Sequence, residues 1–334
     1  GSSLMVNAVN DCDADYFNGK IDLTEYHRAK YLDQALSTKF GGKFRTVNMS
    51  LPGCEPSDAS LLIRLIGLYC GPPSVVIYGV APRDFIDNSL QNPLETEHAQ
   101  YLSRLVRPRG LSHLAGRYPW YAINFLLQQY IFAYQHALDF QIAASQLVVR
   151  LNNLVVPTPP GKPFTYWDRR KLLPDYHAGE LYPTAMVISP TKEMQAMERF
   201  KDNTVEYIDR YRHANPEAFD DQIRYLRDVS AFCSRHDMQF IVVNMPITKK
   251  NIELLTQPRY DDYMRRLVTF SQQYSVPLLD LNDSHYQDSD FKDLVHLNGY
   301  GGKKFFDQLV DELARDPRTN AKMKPRGLPI QRQP

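Results

Sequence analysis

Four short, β-branched runs at wide intervals constrain this chain more than any other feature of its sequence. They are FRTVNM (44–49), SVVIYGV (74–80), FIVVNMP (240–246) and VPLLDLN (276–282), each closed by Gly, Pro or Asn. Apolar runs of that length read as buried strands. Helical periods occupy the intervals. EYHRAKYLDQALSTKF (25–40) sets Tyr31, Leu32, Ala35 and Leu36 on one face, and SDASLLIRLIGLYC (57–70) opens on Ser57 as an expected N-cap. NPEAFDDQIRYLRDVSAFCSRH (215–236) has Pro216 at a first helical position and a stripe of Phe219, Ile223, Leu226, Val229 and Phe232. GGKKFFDQLVDELARD (301–316) gathers Phe305, Phe306, Leu309, Val310 and Leu313. Strand–helix–strand alternation at these spacings predicts a parallel sheet covered by helices, an α/β fold.

The alternation breaks between about 90 and 205. That interval is rich in Pro, Tyr and Arg, includes an amphipathic helix around 120–152, and reads as a mostly helical insertion over the strand ends. It is not expected to be an independent domain, so 1–320 form one domain and 321–334 a disordered tail. The most apolar stretch, WYAINFLLQQYIFAYQHALDF (120–140), is interrupted by Asn124, Gln128, Gln129, Gln135, His136 and Asp139. A spanning helix needs about 20 almost uninterrupted apolar residues, so this one is expected to be buried or surface-lying.

With 39 basic and 38 acidic side chains and no basic stripe, the chain lacks the electrostatic footprint of a nucleic-acid partner. Cys12, Cys54, Cys70 and Cys233 have no zinc-ligand spacing, and no metal is expected. Cys12 and Cys54 each follow a candidate site loop, which makes a disulfide between them conceivable. The histidines other than His296 lack partners at metal-ligand spacing.

In a parallel sheet the loops leaving the C-terminal strand ends build the site. Here those loops are NMSLPGCEPSD (48–58), YGVAPRDFIDN (78–88), NMPITK (244–249) and, before the last helix, DLVHLNG (293–299), with GSS (1–3) ahead of the first helix. Asp293 and His296 form D-x-x-H. A serine nucleophile needs an imidazole base whose other nitrogen donates to a carboxylate, and a three-residue spacing lets that carboxylate reach back to the ring.

This ordered set resembles the SGNH, or GDSL-type, serine esterase and acyltransferase superfamily. GSS matches the first block, with Ser3 as nucleophile and Ser2 as the lesser alternative. Asn48–Gly53 matches the second, whose glycine amide helps to bind the oxyanion, and DLVHLNGYG matches the last, supplying Asp293 and His296. YGVAPRDFIDN falls where the third block, G-x-N-D, belongs. The likeness spans about 1–90 and 200–315. It is nearest to envelope members related to alginate O-acetylation and teichoic-acid D-alanyl-transfer proteins.

The resemblance implies a three-layer α/β/α fold with a parallel central sheet and a large, mostly helical insertion. It further implies acyl transfer from an acyl donor to a carbohydrate acceptor without a cofactor, and a location at the cell envelope. Two departures qualify it. Ala81 stands where the third block has asparagine, so Arg83 or Asn88 is expected to supply that oxyanion donor. Arg83 also suits an anionic glycan, and a plain Arg83–Asp84 ion pair is the competing reading. The central strand that should precede Ser3 is missing, so the sequence is expected to be cut just before Gly1. A membrane-associated assembly would then involve a segment absent from this chain. Residues 1–3 also have the make-up of an expression-tag remnant; the pairing of Ser3 with D-x-x-H speaks against that.

Asn244 and Thr248 flank a strand end as candidate pocket residues. Tyr166, Trp167, Arg169 and Arg170 are candidates for a sugar- or headgroup-facing lid, or for simple loop packing. The alternative to an enzyme is a non-catalytic glycan-binding or scaffold protein of an envelope assembly, its triad vestigial.

Overall fold

In a computed structural model, the described residues are 1–23, 26–86, 92–106, 115–136, 187–193, 200–212 and 216–323, with isolated positions between 140 and 147. The chain divides into two compact units, Gly1–Val106 with Val187–Pro334, and Arg107–Met186. The second unit is narrower than the 90–205 interval, because the helix Glu97–Leu105 packs on Pro56–Tyr69 in the first.

The first unit is mixed α/β. Its helices, taken here in chain order, are α1 (Ser3–Phe17), α2 (Lys30–Phe40), α3 (Pro56–Tyr69), α4 (Arg83–Ile86), α5 (Glu97–Leu105), α6 (Thr204–Tyr211), α7 (Pro216–Arg235), α8 (Lys249–Leu255), α9 (Gln257–Tyr274), α10 (Gly299–Arg315) and α11 (Pro317–Met323). Three strands, β1 (Val75–Val80), β2 (Gln239–Asn244) and β3 (Leu278–Asp280), form a parallel sheet in the order β1–β2–β3. Val75 lies opposite Gln239 and Val80 opposite Asn244, and Asn244 in turn lies opposite Asp280. Successive side chains on β2 point to opposite faces, yet Phe240 through Asn244 are all buried, so both faces are covered. A separate two-stranded antiparallel pairing joins Ile21–Asp22 to Val187–Ile188.

Three of the expected strands pair in the sheet, and 44–49 does not. Its main chain is satisfied elsewhere: the Thr46 N–H goes to the Asp33 carboxylate at 2.5 Å and the Asn48 N–H to the His27 carbonyl at 2.9 Å. Only Val47 forms an isolated bridge, with Arg28. Between β1 and this segment lies an apolar slot of about 920 Å³, lined by Met5, Leu32, Ile63, Val76, Phe240 and Phe306 among others.

Several local expectations are corrected. Ser57 is not the cap of α3: Glu55 is the N-cap in a capping box with Asp58, Pro56 takes the first turn, and the Ser57 hydroxyl donates to the Pro93 carbonyl. The helix expected around 120–152 begins at Pro119 and is interrupted at Ile131, giving Pro119–Tyr130 and Phe132–Gln135; most of 137–152 lies outside the described residues. Helix α11 runs to Met323, into the expected tail, and 324–334 lie outside the described residues. Cys12 and Cys54 are both buried free thiols, so no disulfide joins them. Burial pushes both thiols up, away from the reactive thiolate.

What matters for the site is how α1 and the last loop meet. Helix α10 packs closely along α1, and Gly302 permits it: a Cβ there would stand 2.6 Å from the Ala8 carbonyl oxygen. The loop before α10 is thereby delivered to the N-terminal end of α1.

Candidate active site

Ser3 is the first residue of α1, with Ser2 as its N-cap. The opening N–H groups of a helix have no intrahelical partners, so Ser3 offers an amide and a hydroxyl at the same place. The two neighbouring serines point apart. Ser2 is buried, and its hydroxyl donates to Asp84 at 3.4 Å, whereas the Ser3 hydroxyl lies 2.8 Å from His296 Nε2.

Residues 292–296 form a tight loop between antiparallel neighbours. Phe291 bridges Leu297, the Lys292 N–H donates to the His296 carbonyl at 2.8 Å, and the Asn298 N–H donates to the Asp290 carbonyl at 3.0 Å. Within that loop one oxygen of Asp293 accepts the Val295 and His296 N–H groups at 2.9 and 2.8 Å. The other oxygen accepts His296 Nδ1–H at 2.6 Å. A single short turn therefore both folds the loop and orients the ring. With Nδ1 donating to the carboxylate, Nε2 is left to accept the Ser3 proton.

Burial pushes the Asp293 carboxyl up, but the hydrogen bond and charge of His296, with the two N–H groups, outweigh it and hold the carboxyl below its ordinary range. It therefore stays ionised into acid. Its contribution to stability is present above the unfolded value and is lost as pH falls through the lowered folded one.

The second wall of the site is the 48–54 loop, tied to the helix start by the Leu51 N–H to Gly1 carbonyl bond at 3.1 Å. Gly53 has φ +78°, a left-handed conformation that glycine adopts without cost, and the turn is closed by the Cys54 N–H to the Leu51 carbonyl. A Cβ on Gly53 would lie 3.8 Å from Arg83 Nη2, so the guanidinium stands beside the expected oxyanion glycine. The Arg83–Asp84 pair is long, at 4.0 Å. Arg83 thus stands between Gly53 and Asp84.

Asp84 is fully buried below this wall. One oxygen accepts the Ala81 N–H at 2.9 Å and the Ser2 hydroxyl, while the other makes no hydrogen bond. Burial pushes its carboxyl up to about 6, against the pull of Arg83, the Ala81 N–H and Ser2. A folded value above the unfolded one means that its contribution to stability is present below about pH 4 and withdrawn as pH rises; the withdrawal is complete above about 6. Asp84→Asn is accordingly expected to flatten the stability-versus-pH curve between these limits and to gain on the wild type at neutral pH. Urea unfolding across that range checks it, and an unchanged slope would mean that Asp84 does not titrate there.

The remaining candidates separate. Asn244 is fully buried, donates to Tyr260 and Asp280 and accepts from Tyr263, so its amide ties the end of β2 to β3 and α9. Thr248 is likewise buried. It caps α8, and its N–H and hydroxyl both donate to the Leu294 carbonyl, at 3.1 and 2.9 Å, so it braces the loop that bears Asp293 and His296. Asn88, Trp167 and Arg169, with Tyr166 and Arg170, lie outside the described residues. Among the described residues no group of three or more His, Cys, Asp or Glu is placed to hold a metal ion.

Sequence reasoning missed the residues that anchor the loop. Lys292 Nζ donates to both oxygens of buried Asp11, at 3.0 and 2.8 Å, joining the loop to α1 two turns beyond Ser3. The Asn203 side chain accepts the Leu294 N–H at 3.2 Å. Lys292 adjoins Asp293 in the sequence, which was the one available signal; Asn203 had none. No protein-family model matches this chain, and no curated protein matches it. The site therefore stands on its geometry and on the motif likeness alone.

Proposed function

We propose that the chain is a serine-dependent acyl-transfer enzyme of SGNH type, its sheet the centre of a three-layer α/β/α fold with 107–186 as the insertion. The observation that carries this reading is the continuous relay from Ser3 Oγ through His296 to Asp293, at 2.8 and 2.6 Å. His296 Nε2 takes the hydroxyl proton as Ser3 Oγ attacks an ester carbonyl. The imidazolium then returns that proton to the departing alcohol, leaving an acyl-serine. Water or a sugar hydroxyl repeats the sequence in the second half-reaction, giving hydrolysis or O-acyl transfer. The Ser3 and Gly53 amides would hold the oxyanion, and each such donor typically contributes about 100- to 1,000-fold to kcat.

An acyl donor, a carbohydrate acceptor of the cell envelope or an exported polysaccharide, and an extracytoplasmic site of action follow from the resemblance. Labelling with a fluorophosphonate probe tests the reading. Modification mapped to Ser3, together with turnover of a short-chain aryl ester, is the expected result; a protein that neither labels nor turns over overturns it.

Arg83 takes the place of the missing asparagine. Arg83→Ala is expected to lower kcat/KM by about 10-fold or more, through loss of an oxyanion donor or of an anionic acceptor's partner. Kinetics equal to wild type would leave Arg83 a structural residue. One observation favours the non-catalytic reading: Ala81, at the third-block position, has no side-chain donor to offer an oxyanion. An unlabelled Ser3 in a correctly folded protein would support that scaffold role.

A further inference from the structure

Leu294, between Asp293 and His296, is fully buried, and both of its main-chain polar groups are held by side chains from elsewhere in the chain. Its carbonyl accepts the N–H and the hydroxyl of Thr248, at 3.1 and 2.9 Å. The single proton of that hydroxyl goes to Leu294, while its oxygen accepts the Asn251 N–H at 3.2 Å. The Leu294 N–H donates to the Asn203 side chain at 3.2 Å. Asn203 is the N-cap of α6, yet its side chain makes no cap bond there; Asp202 accepts the Thr204 N–H instead, at 2.9 Å. A residue type favoured for capping is thus used on the loop.

The peptide unit is planar, so fixing its carbonyl also aims its N–H, which points the opposite way. The unit joining Leu294 to Val295 has its carbonyl on Thr248 and its N–H on one oxygen of Asp293, at 2.9 Å. The unit joining Asp293 to Leu294 has its N–H on Asn203, which fixes the main chain of Asp293 itself. The Asp293 carboxylate is therefore oriented by a peptide whose direction Thr248 sets. Its other oxygen holds His296 Nδ1 at 2.6 Å, and the far nitrogen of that ring meets the Ser3 hydroxyl at 2.8 Å. Rotation of either peptide would turn the carboxylate, and the ring would lose the bond that fixes its tautomer.

We infer that Thr248 and Asn203 are positioning residues for acyl transfer: by clamping the two peptides of Leu294 they hold Asp293 where it keeps a proton on His296 Nδ1 and leaves Nε2 free for Ser3. This rests on the acyl-transfer reading of the site, and the test therefore includes a signal read without turnover. Proton NMR of the wild type should show a far-downfield resonance from His296 Nδ1–H, identified by its absence in His296→Gln. Thr248→Val keeps the main-chain bond and the size of the side chain but lacks the hydroxyl. That variant and Asn203→Ala should each broaden or weaken the resonance. Each should also lower kcat for an aryl ester by about 10- to 100-fold with KM little changed, the cost of a small misplacement imposed from outside the reacting atoms. Thr248→Ser retains the hydroxyl and should keep both readouts near wild type. Circular dichroism shows which variants fold; should Thr248→Val misfold, Asn203→Ala, at a half-buried position, decides. Folded variants with the wild-type resonance and kcat overturn the inference. So does a Thr248→Ser as impaired as Thr248→Val, which would assign the effect to the methyl group. A wild type with the resonance but without labelling or turnover overturns the acyl-transfer reading, and the resonance of the variants still decides whether the clamp orients His296.

Discussion

On the proposed function, Ser3→Ala is expected to lower kcat for aryl-ester hydrolysis by about 10,000-fold or more, the loss seen when a triad loses its nucleophile. The fold should survive, because the Ser3 side chain is only partly buried and helix α1 packs through Leu4, Met5, Ala8 and Val9, independently of the Ser3 hydroxyl. Ser2→Ala is the informative control. Its hydroxyl reaches Asp84 at 3.4 Å and faces away from His296, so that variant should keep most of its activity. Steady-state kinetics of both variants, with circular dichroism, make the comparison. Full turnover in Ser3→Ala alongside an inactive Ser2→Ala would move the nucleophile by one residue and undo the relay described above.

Lys292→Met destabilises the protein at neutral pH by about 3–5 kcal/mol, the usual consequence of removing one partner of a buried ion pair. Asp11 is 1% exposed, and burial already pushes its carboxyl up despite Lys292. Without the ammonium group the charge has no counterpart, and the loop bearing Asp293 and His296 loses its tie to the helix bearing Ser3. Pairing Lys292→Met with Asp11→Asn should restore much of the loss, since the buried charge goes with its partner. Urea unfolding of the two single variants and the double variant measures this. A loss under about 1 kcal/mol for Lys292→Met would mean that the pair is screened as at a surface.

The parts of this protein legible in its sequence are those whose causes are local. The strands at 75–80 and 239–244 are continuous β-branched runs; residues 240–244 are buried on both faces as such runs predict, whereas 75–77 are only half-buried and burial begins at Tyr78. The Pro216–Arg235 helix shows its stripe at a period of 3.6 residues, with Phe219, Leu226, Val229 and Phe232 buried. The Asp293–His296 bond is local as well. An aspartate that accepts N–H groups two and three residues onward folds its own turn, so D-x-x-H encodes geometry as well as chemistry.

The rest was decided by groups far apart in the chain. FRTVNM has the pattern of a strand, but Asp33 and His27 take its N–H groups first, and a backbone donor serves only one ladder. Asn244 reads as a pocket residue from its place at a strand end, yet Tyr260, Tyr263 and Asp280 claim all its polar atoms. Lys292 meets Asp11 across 281 positions, and no local spacing announces such a pair. By itself the sequence determined where the chain turns, which faces become apolar, and that one histidine is held by one aspartate. Only the packing of α1 against α10 decided that Ser3 would stand 2.8 Å from that histidine, because a long-range distance is set by how whole elements bury their apolar faces, which depends on every residue in them.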